Sequence, residues 1–132
     1  MRVKINYIEI MQLSNKDQVR FALFCVMQTK SLTINGMNCC HIVEAWLNGD
    51  ATVEDCHHVA AGLQFTNCGG SYSADCNAAF MAVGIPFVFP SQATSIALKA
   101  VEINPDAKDI IETYLYELLH LDEIVEKELL GE

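Results

Sequence analysis

The run Phe21-Ala22-Leu23-Phe24-Cys25-Val26-Met27 is apolar on every side of any regular repeat, and nothing else in the chain limits the fold so strongly. Ser14-Asn15-Lys16-Asp17 ahead of it supplies a cap and an acidic first turn, so the spacing predicts a helix from about Ser14 to Lys30. Seven apolar residues fall far short of the roughly 20 that span a bilayer. A helix with no polar face is stable in water only when other elements enclose it. The chain must therefore wrap further helices of its own around this one.

Those helices are legible from periodicity and punctuation. Cys39, Ile42, Val43, Trp46 and Leu47 recur at i, i+3, i+4, i+7 and i+8, an amphipathic pattern that follows a turn signal at Asn35-Gly36. Asn48-Gly49 ends it, with glycine supplying the left-handed backbone. Thr52 caps the next helix, which carries Val53, Cys56, Ala60 and Leu63 on one face. After a loop at 67–71, a helix runs from about Ser73 to Val83, and Ile85-Pro86-Phe87-Val88-Phe89-Pro90 forms an apolar connector. Ser91 is placed to cap a helix bearing Ala93, Ala97 and Ala100. Asn104-Pro105-Asp106 opens the last one, directed towards Leu130 with a break expected near Leu121-Asp122. Asn6-Tyr7-Ile8-Glu9 reads as the start of a short helix, although the alternation of Val3, Ile5 and Tyr7 suits a short strand as well. Small residues at Ala60-Ala61, Ala78-Ala79, Ala82, Ala93, Ala97 and Ala100 let helix axes approach closely. The expectation is an all-α fold, a compact bundle of six or seven short helices with the two most apolar inside. It forms a single helical domain over 1–132, with a short N-terminal strand as the alternative at residues 3–7.

With 52% apolar and 19% charged residues, a chain of this length buries roughly two thirds of its unfolded surface and needs no staples. Asn6 and Glu9 interrupt any secretory signal, so a cytoplasmic location is expected. Cys25, Cys39, Cys40 and Cys56 fall within predicted helices among apolar neighbours. With Cys68 and Cys76 they are read as thiols and not as a disulfide framework.

The formal charge of −9 is unevenly spread: residues 106–132 hold nine acids against Lys108 and Lys127, a net −7. Such a field repels nucleic acid and anionic membranes and attracts a basic protein. Asp109, Glu112, Glu117, Glu123 and Glu126 are therefore candidate partner-binding residues, provided the last helix turns them outward as one surface. Phe87 and Phe89 are a second candidate, an exposed aromatic anchor. The opposing expectation for them is that the connector lies across a helix pair and buries both rings.

The chemical constellations are weaker. Glu54/His57 and Glu117/His120 reproduce the Glu-x-x-His spacing of di-iron bundles. The apolar stripe of Ile111, Tyr114, Leu118, Val125 and Leu129, however, points His120 away from the core. Cys56, His57, His58, Cys68 and Cys76 cluster in sequence but lack the Cys-x(2–4)-Cys or His-x(3–5)-His knuckle of structural zinc. No nucleophile elbow, phosphate loop or dinucleotide fingerprint occurs. The reading assigns no catalytic residue, metal or cofactor. The rival is a metal- or thiol-dependent enzyme centred on Cys56, His57, Cys68 and Cys76, and a third possibility is a homo-oligomer joined through the connector.

Val43-Glu44-Ala45-Trp46-Leu47-Asn48-Gly49-Asp50-Ala51-Thr52-Val53-Glu54-Asp55 resembles the immunity proteins of the Imm5-like group, alanine-rich helical proteins of bacteria and their phages. Ala60-Ala61 and Ala78-Ala79 echo the alanine pairs of that group. Tyr114 to Val125 is similar to the closing segment of small phage proteins. The likeness covers residues 40–132 and departs at 65–70 and 85–90. It implies stoichiometric binding and neutralisation of another protein, as an immunity or anti-defence inhibitor. With the acidic terminus, the implied target is a basic, nucleic-acid-handling protein such as a nuclease or a CRISPR effector, met in the host cytoplasm.

Overall fold

Side chains at the helix starts set most of the element boundaries. The computed structural model describes residues 1–65 and 74–121, the side chains of 63–65 apart. Helix α1 (Tyr7–Met11) begins where the Asn6 side-chain oxygen accepts the Glu9 N–H at 3.0 Å. The helical alternative is thus the one adopted. Val3 gives its N–H to the Glu112 carbonyl, a tie to the last helix, and no strand forms among the described residues. Helix α2 (Asn15–Gln28) is capped by the Ser14 hydroxyl, which accepts from Asp17 N–H at 3.2 Å.

Helix α3 (Ile34–Leu47) corrects one expectation. Asn35-Gly36 is not a turn but the first helical turn itself, because a carboxylate from elsewhere in the fold caps the chain at Thr33. Its far end follows the sequence closely. Gly49 takes φ 82°, its N–H reaches Trp46 O, and Asp50 N–H reaches Ala45 O at 2.8 Å. This is the two-bond closure a left-handed residue permits. Helix α4 (Val53–Phe65) opens with a reciprocal box. Asp55 N–H donates to the Thr52 hydroxyl, and Thr52 N–H donates to the Asp55 carboxylate at 2.9 Å. Hydrogen bonds from the Thr52 N–H and then the Thr52 side chain hold the Asp55 carboxyl below its ordinary range.

Helix α5 (Ala74–Gly84) is followed by α6 (Pro90–Ile103), which is capped at Phe89 and so starts two residues earlier than a Ser91 cap implies. Pro90 takes the first helical position, where it lacks only an N–H that has no helical partner anyway. A 3-10 turn at Pro105–Ala107 leads into α7 (Lys108–Leu119), ending at His120. The expected break near Leu121 thus comes a residue early, and the stretch towards Leu130 lies outside the described residues.

The apolar run is enclosed as its sequence requires. Helix α2 packs against α3, α5, α6 and α7, with Val19, Phe21, Ala22, Leu23, Cys25 and Val26 buried. Phe24 stacks on Tyr114 of α7 at 4.1 Å between ring centroids. Helix α5 is the second enclosed element, held by α2, α3 and α4, and its Ala78, Ala79 and Ala82 provide the close approach. On α6, Ala93, Ala97 and Ala100 are buried in the same way, and α6 packs on α1 and α2. Full burial of Phe21 contributes about 2–3 kcal/mol. Cys25, Cys39, Cys40, Cys56 and Cys76 are buried thiols, none in a disulfide. Among the described residues no helix is long and apolar enough to cross a membrane. The result is an all-α bundle of seven described helices.

Candidate functional site

The connector between α5 and α6 carries the most distinctive surface. Two prolines, Pro86 and Pro90, restrict its backbone, and the Ile85-Pro86 peptide is cis. Ile85 and Val88 point inward and are buried. Phe87 N–H donates to Gly84 O at 2.8 Å, Phe89 N–H donates to Gln92 Oε1 at 3.1 Å, and His57 of α4 donates to Ile85 O at 2.7 Å. With the inward positions taken, Phe87 and Phe89 face outward, 55% and 62% exposed. The expectation that these rings lie buried across a helix pair is therefore corrected.

Helix α5 extends the surface with residues that the sequence reading passed over. Phe80 and Val83, one helical turn apart and off the alanine stripe, are also exposed. Beside Phe80 a cleft of about 220 Å³ opens between α5 and α6, with Met81, Val88 and Ile96 as apolar lining and Asn77 and Lys99 as polar lining. The Asn77 side-chain nitrogen is buried there without a hydrogen-bond partner among the described residues. Aromatic side chains on a fixed backbone lose little conformational freedom on binding, which is why such groups dominate interfaces.

The acidic helix is less uniform than its sequence. Arg2 pairs with Asp109, and its Nε lies 3.8 Å from the carboxylate of Glu112. Glu112 itself is only 6% exposed, beneath the N-terminal segment that Val3 ties to it. The outward carboxylate expected at Glu112 is therefore absent, and Arg2 interrupts the electronegative surface at Asp109. Glu117 is exposed. Glu123 and Glu126 lie outside the described residues.

Cys56, His57 and Cys76 do not converge on a common site. Cys56 is buried and donates to Ile42 O at 3.7 Å, while His57 is engaged with Ile85. Cys76 is buried on α5, and Cys68 lies outside the described residues. His120 packs its ring against Tyr116, half-buried where full solvent exposure was expected. Among the described residues no three His, Cys, Asp or Glu side chains are grouped to hold a metal ion.

Compared with protein-family models, curated proteins and solved structures, the chain matches none. Function must therefore be read from the surfaces. Of the sequence candidates, Phe87, Phe89 and Glu117 are exposed, and so are Phe80 and Val83. The signal for the last two was in the sequence: an aromatic and a valine at i, i+3 opposite a stripe of alanines.

Proposed function

We propose that this protein acts by stoichiometric binding to another protein, as an inhibitor of the immunity or anti-defence kind, with Phe87 and Phe89 as its anchor. The observation that carries this is the outward pair of rings on a backbone fixed by Pro86, Pro90 and three hydrogen bonds. Phe80 and Val83 widen the apolar contact. The terminal acidic residues act at longer range, drawing in a basic, nucleic-acid-handling partner and raising its association rate. Of the candidate carboxylates that are described, Glu117 suits that role, since Asp109 and Glu112 pair with Arg2.

The test is affinity capture with the wild-type protein from the organism that carries its gene, followed by titration of the isolated partner. One-to-one binding that inhibits the partner, weakened at least ~30-fold by Phe87→Ala with Phe89→Ala, is the expected result. That factor corresponds to the ~2 kcal/mol of a hot spot. The paired substitution is expected to leave stability within about 0.5 kcal/mol, because both rings are exposed. Equal affinity for the paired variant overturns the anchor. A protein that sediments as a dimer through these rings overturns the inhibitor reading in favour of a homo-oligomer.

A further inference from the structure

A second surface lies apart from the aromatic connector. Helix α2 ends at Gln28 with Thr29 as its cap, and Lys30 adopts φ 56°, a left-handed turn that sends the chain back to start α3 alongside the last turn of α2. Between the two lies a cleft of about 230 Å³ lined by Met27, Lys30, Leu32, Met37, Cys40 and His41. Three of these, Met37, Cys40 and His41, stand at i, i+3 and i+4 of α3 and so share one stripe of the helix. Met27 faces them from α2. Met27 and Met37 are each 45% exposed, so two thioethers flank the opening.

Three of the six lining side chains carry soft sulfur donors, a fourth carries an imidazole, and none is a carboxylate. We propose that this cleft binds a soft monovalent cation of the copper(I) class, through the Cys40 thiolate, the Met27 and Met37 thioethers and the His41 imidazole.

Ligand softness gives the first selection. Thiolate and thioether sulfur favour copper(I) and its analogue silver(I), whereas magnesium and calcium require oxygen donors that the cleft lacks. Charge gives the second. One thiolate neutralises a monovalent ion, and the Asp75 and Glu44 carboxylates, whose fields reach Cys40, lie outside the cleft lining, so a divalent ion finds no oxygen donor beside Lys30. Burial disfavours the bare Cys40 thiolate, but the metal complex carries no such penalty, because the ion takes the place of the proton. The step is an exchange without electron transfer: the S–H bond breaks, a sulfur–metal bond forms, and one proton is released for each ion bound. Methionine has three rotatable bonds, so both thioethers are able to swing onto an ion at the opening.

The reduced protein is titrated with silver(I) under anaerobic conditions, and the ε-methyl groups of its five methionines are followed by NMR. One equivalent is expected to shift the Met27 and Met37 methyls and leave Met1, Met11 and Met81 in place. Copper(I), supplied against a competing chelator, is expected to bind with one proton released. Exchanging both thioethers in Met27→Leu with Met37→Leu keeps side-chain volume and is expected to weaken binding at least ~10-fold, the lower end of what even a supporting group costs a metal site. Cys40→Ala is expected to abolish it, with Cys56→Ala as the control for buried thiols elsewhere. Methyl shifts at other methionines, affinity unchanged in the Met27/Met37 variant, or equally tight zinc binding overturns the proposal. So does a cleft that takes only apolar ligands. The outcome is independent of any result with Phe87 and Phe89.

Discussion

The carboxylate of Asp75, on α5, caps helix α3 at Thr33, forty-two positions earlier: it accepts the Thr33 N–H at 3.0 Å and the Thr33 hydroxyl at 2.5 Å. Thr33 is the N-cap residue of α3 but makes no side-chain cap bond of its own, so the acceptor is supplied across the core. A buried carboxylate at a helix N-terminus also meets the positive end of the helix dipole. Asp75→Ala removes the acceptor from both donors, which on the exposed Thr33 can turn only to water. It is expected to cost about 2 kcal/mol, the loss of charge-assisted bonds at a helix cap. Thr33→Ser keeps both bonds and is expected to cost under about 1 kcal/mol. Urea denaturation of the two variants measures the difference, and equal losses would contradict the cap.

Gly36 exists to let that carboxylate in. A Cβ at this position would stand 2.0 Å from Asp75 Oδ1 and 2.8 Å from Leu32 Cδ2. Gly36→Ala is expected to destabilise by about 3 kcal/mol, because overpacking and loss of the cap act together. Gly49 gives the contrasting case: a Cβ there meets nothing within 4 Å, but φ is +82°. Gly49→Ala is expected to cost only about 1–2 kcal/mol, the left-handed penalty alone. The order of the two denaturation midpoints tests crowding against backbone strain.

These two glycines also mark where the sequence was readable. Gly49 follows an amphipathic stripe that ends at Leu47, so its role is local and the neighbouring residues announce it. Gly36 sits in an Asn-Gly pair whose local meaning is a turn, and the information that overrides it lies on Asp75, far along the chain. The same division runs through the candidate site. That Phe87 and Phe89 belong together is legible from the prolines around them. Which way they face depends on Ile85 and Val88 filling the inward positions, and no periodicity operates over so short a connector. Along α7 the acidic residues could be counted, but Arg2 reaches two of them from the other end of the chain.

The Arg2 pairing makes its own prediction. Arg2 and Asp109 are both exposed, so that pair alone stabilises little. Glu112 is buried, and the Arg2 guanidinium lies 3.8 Å from its carboxylate. Arg2→Ala is expected to cost about 1 kcal/mol, and Glu112→Gln introduced into it to cost less than in the wild-type background. A coupling of about 0.5–1 kcal/mol in that double-mutant cycle is expected. Additive losses would show that Glu112 is held by packing and not by the guanidinium.

Burial of the thiols sets the alkaline limit of stability. Burial pushes the Cys40 thiol up to about 12 and Cys39 up to about 11, from an ordinary 9.0, and it raises Cys25 as well. Above pH 9 the unfolded chain gives up these protons while the folded chain keeps them, so the folded state binds more protons and stability falls as pH rises. The contribution is whole below about pH 9 and is lost progressively towards pH 11 and 12. Tyr114, also raised by burial, acts in the same sense at higher pH. Denaturation at pH 8 and pH 10.5 is expected to differ by at least about 2 kcal/mol, since one unit of displaced titration is worth about 1.4 kcal/mol for each thiol. Cys40→Ala lowers stability at pH 8 through the cavity it leaves, yet it removes one titrating group. The slope of stability against pH is therefore expected to flatten by up to one proton. A slope unchanged in that variant would mean that the Cys40 thiol ionises equally well in the folded and unfolded chains.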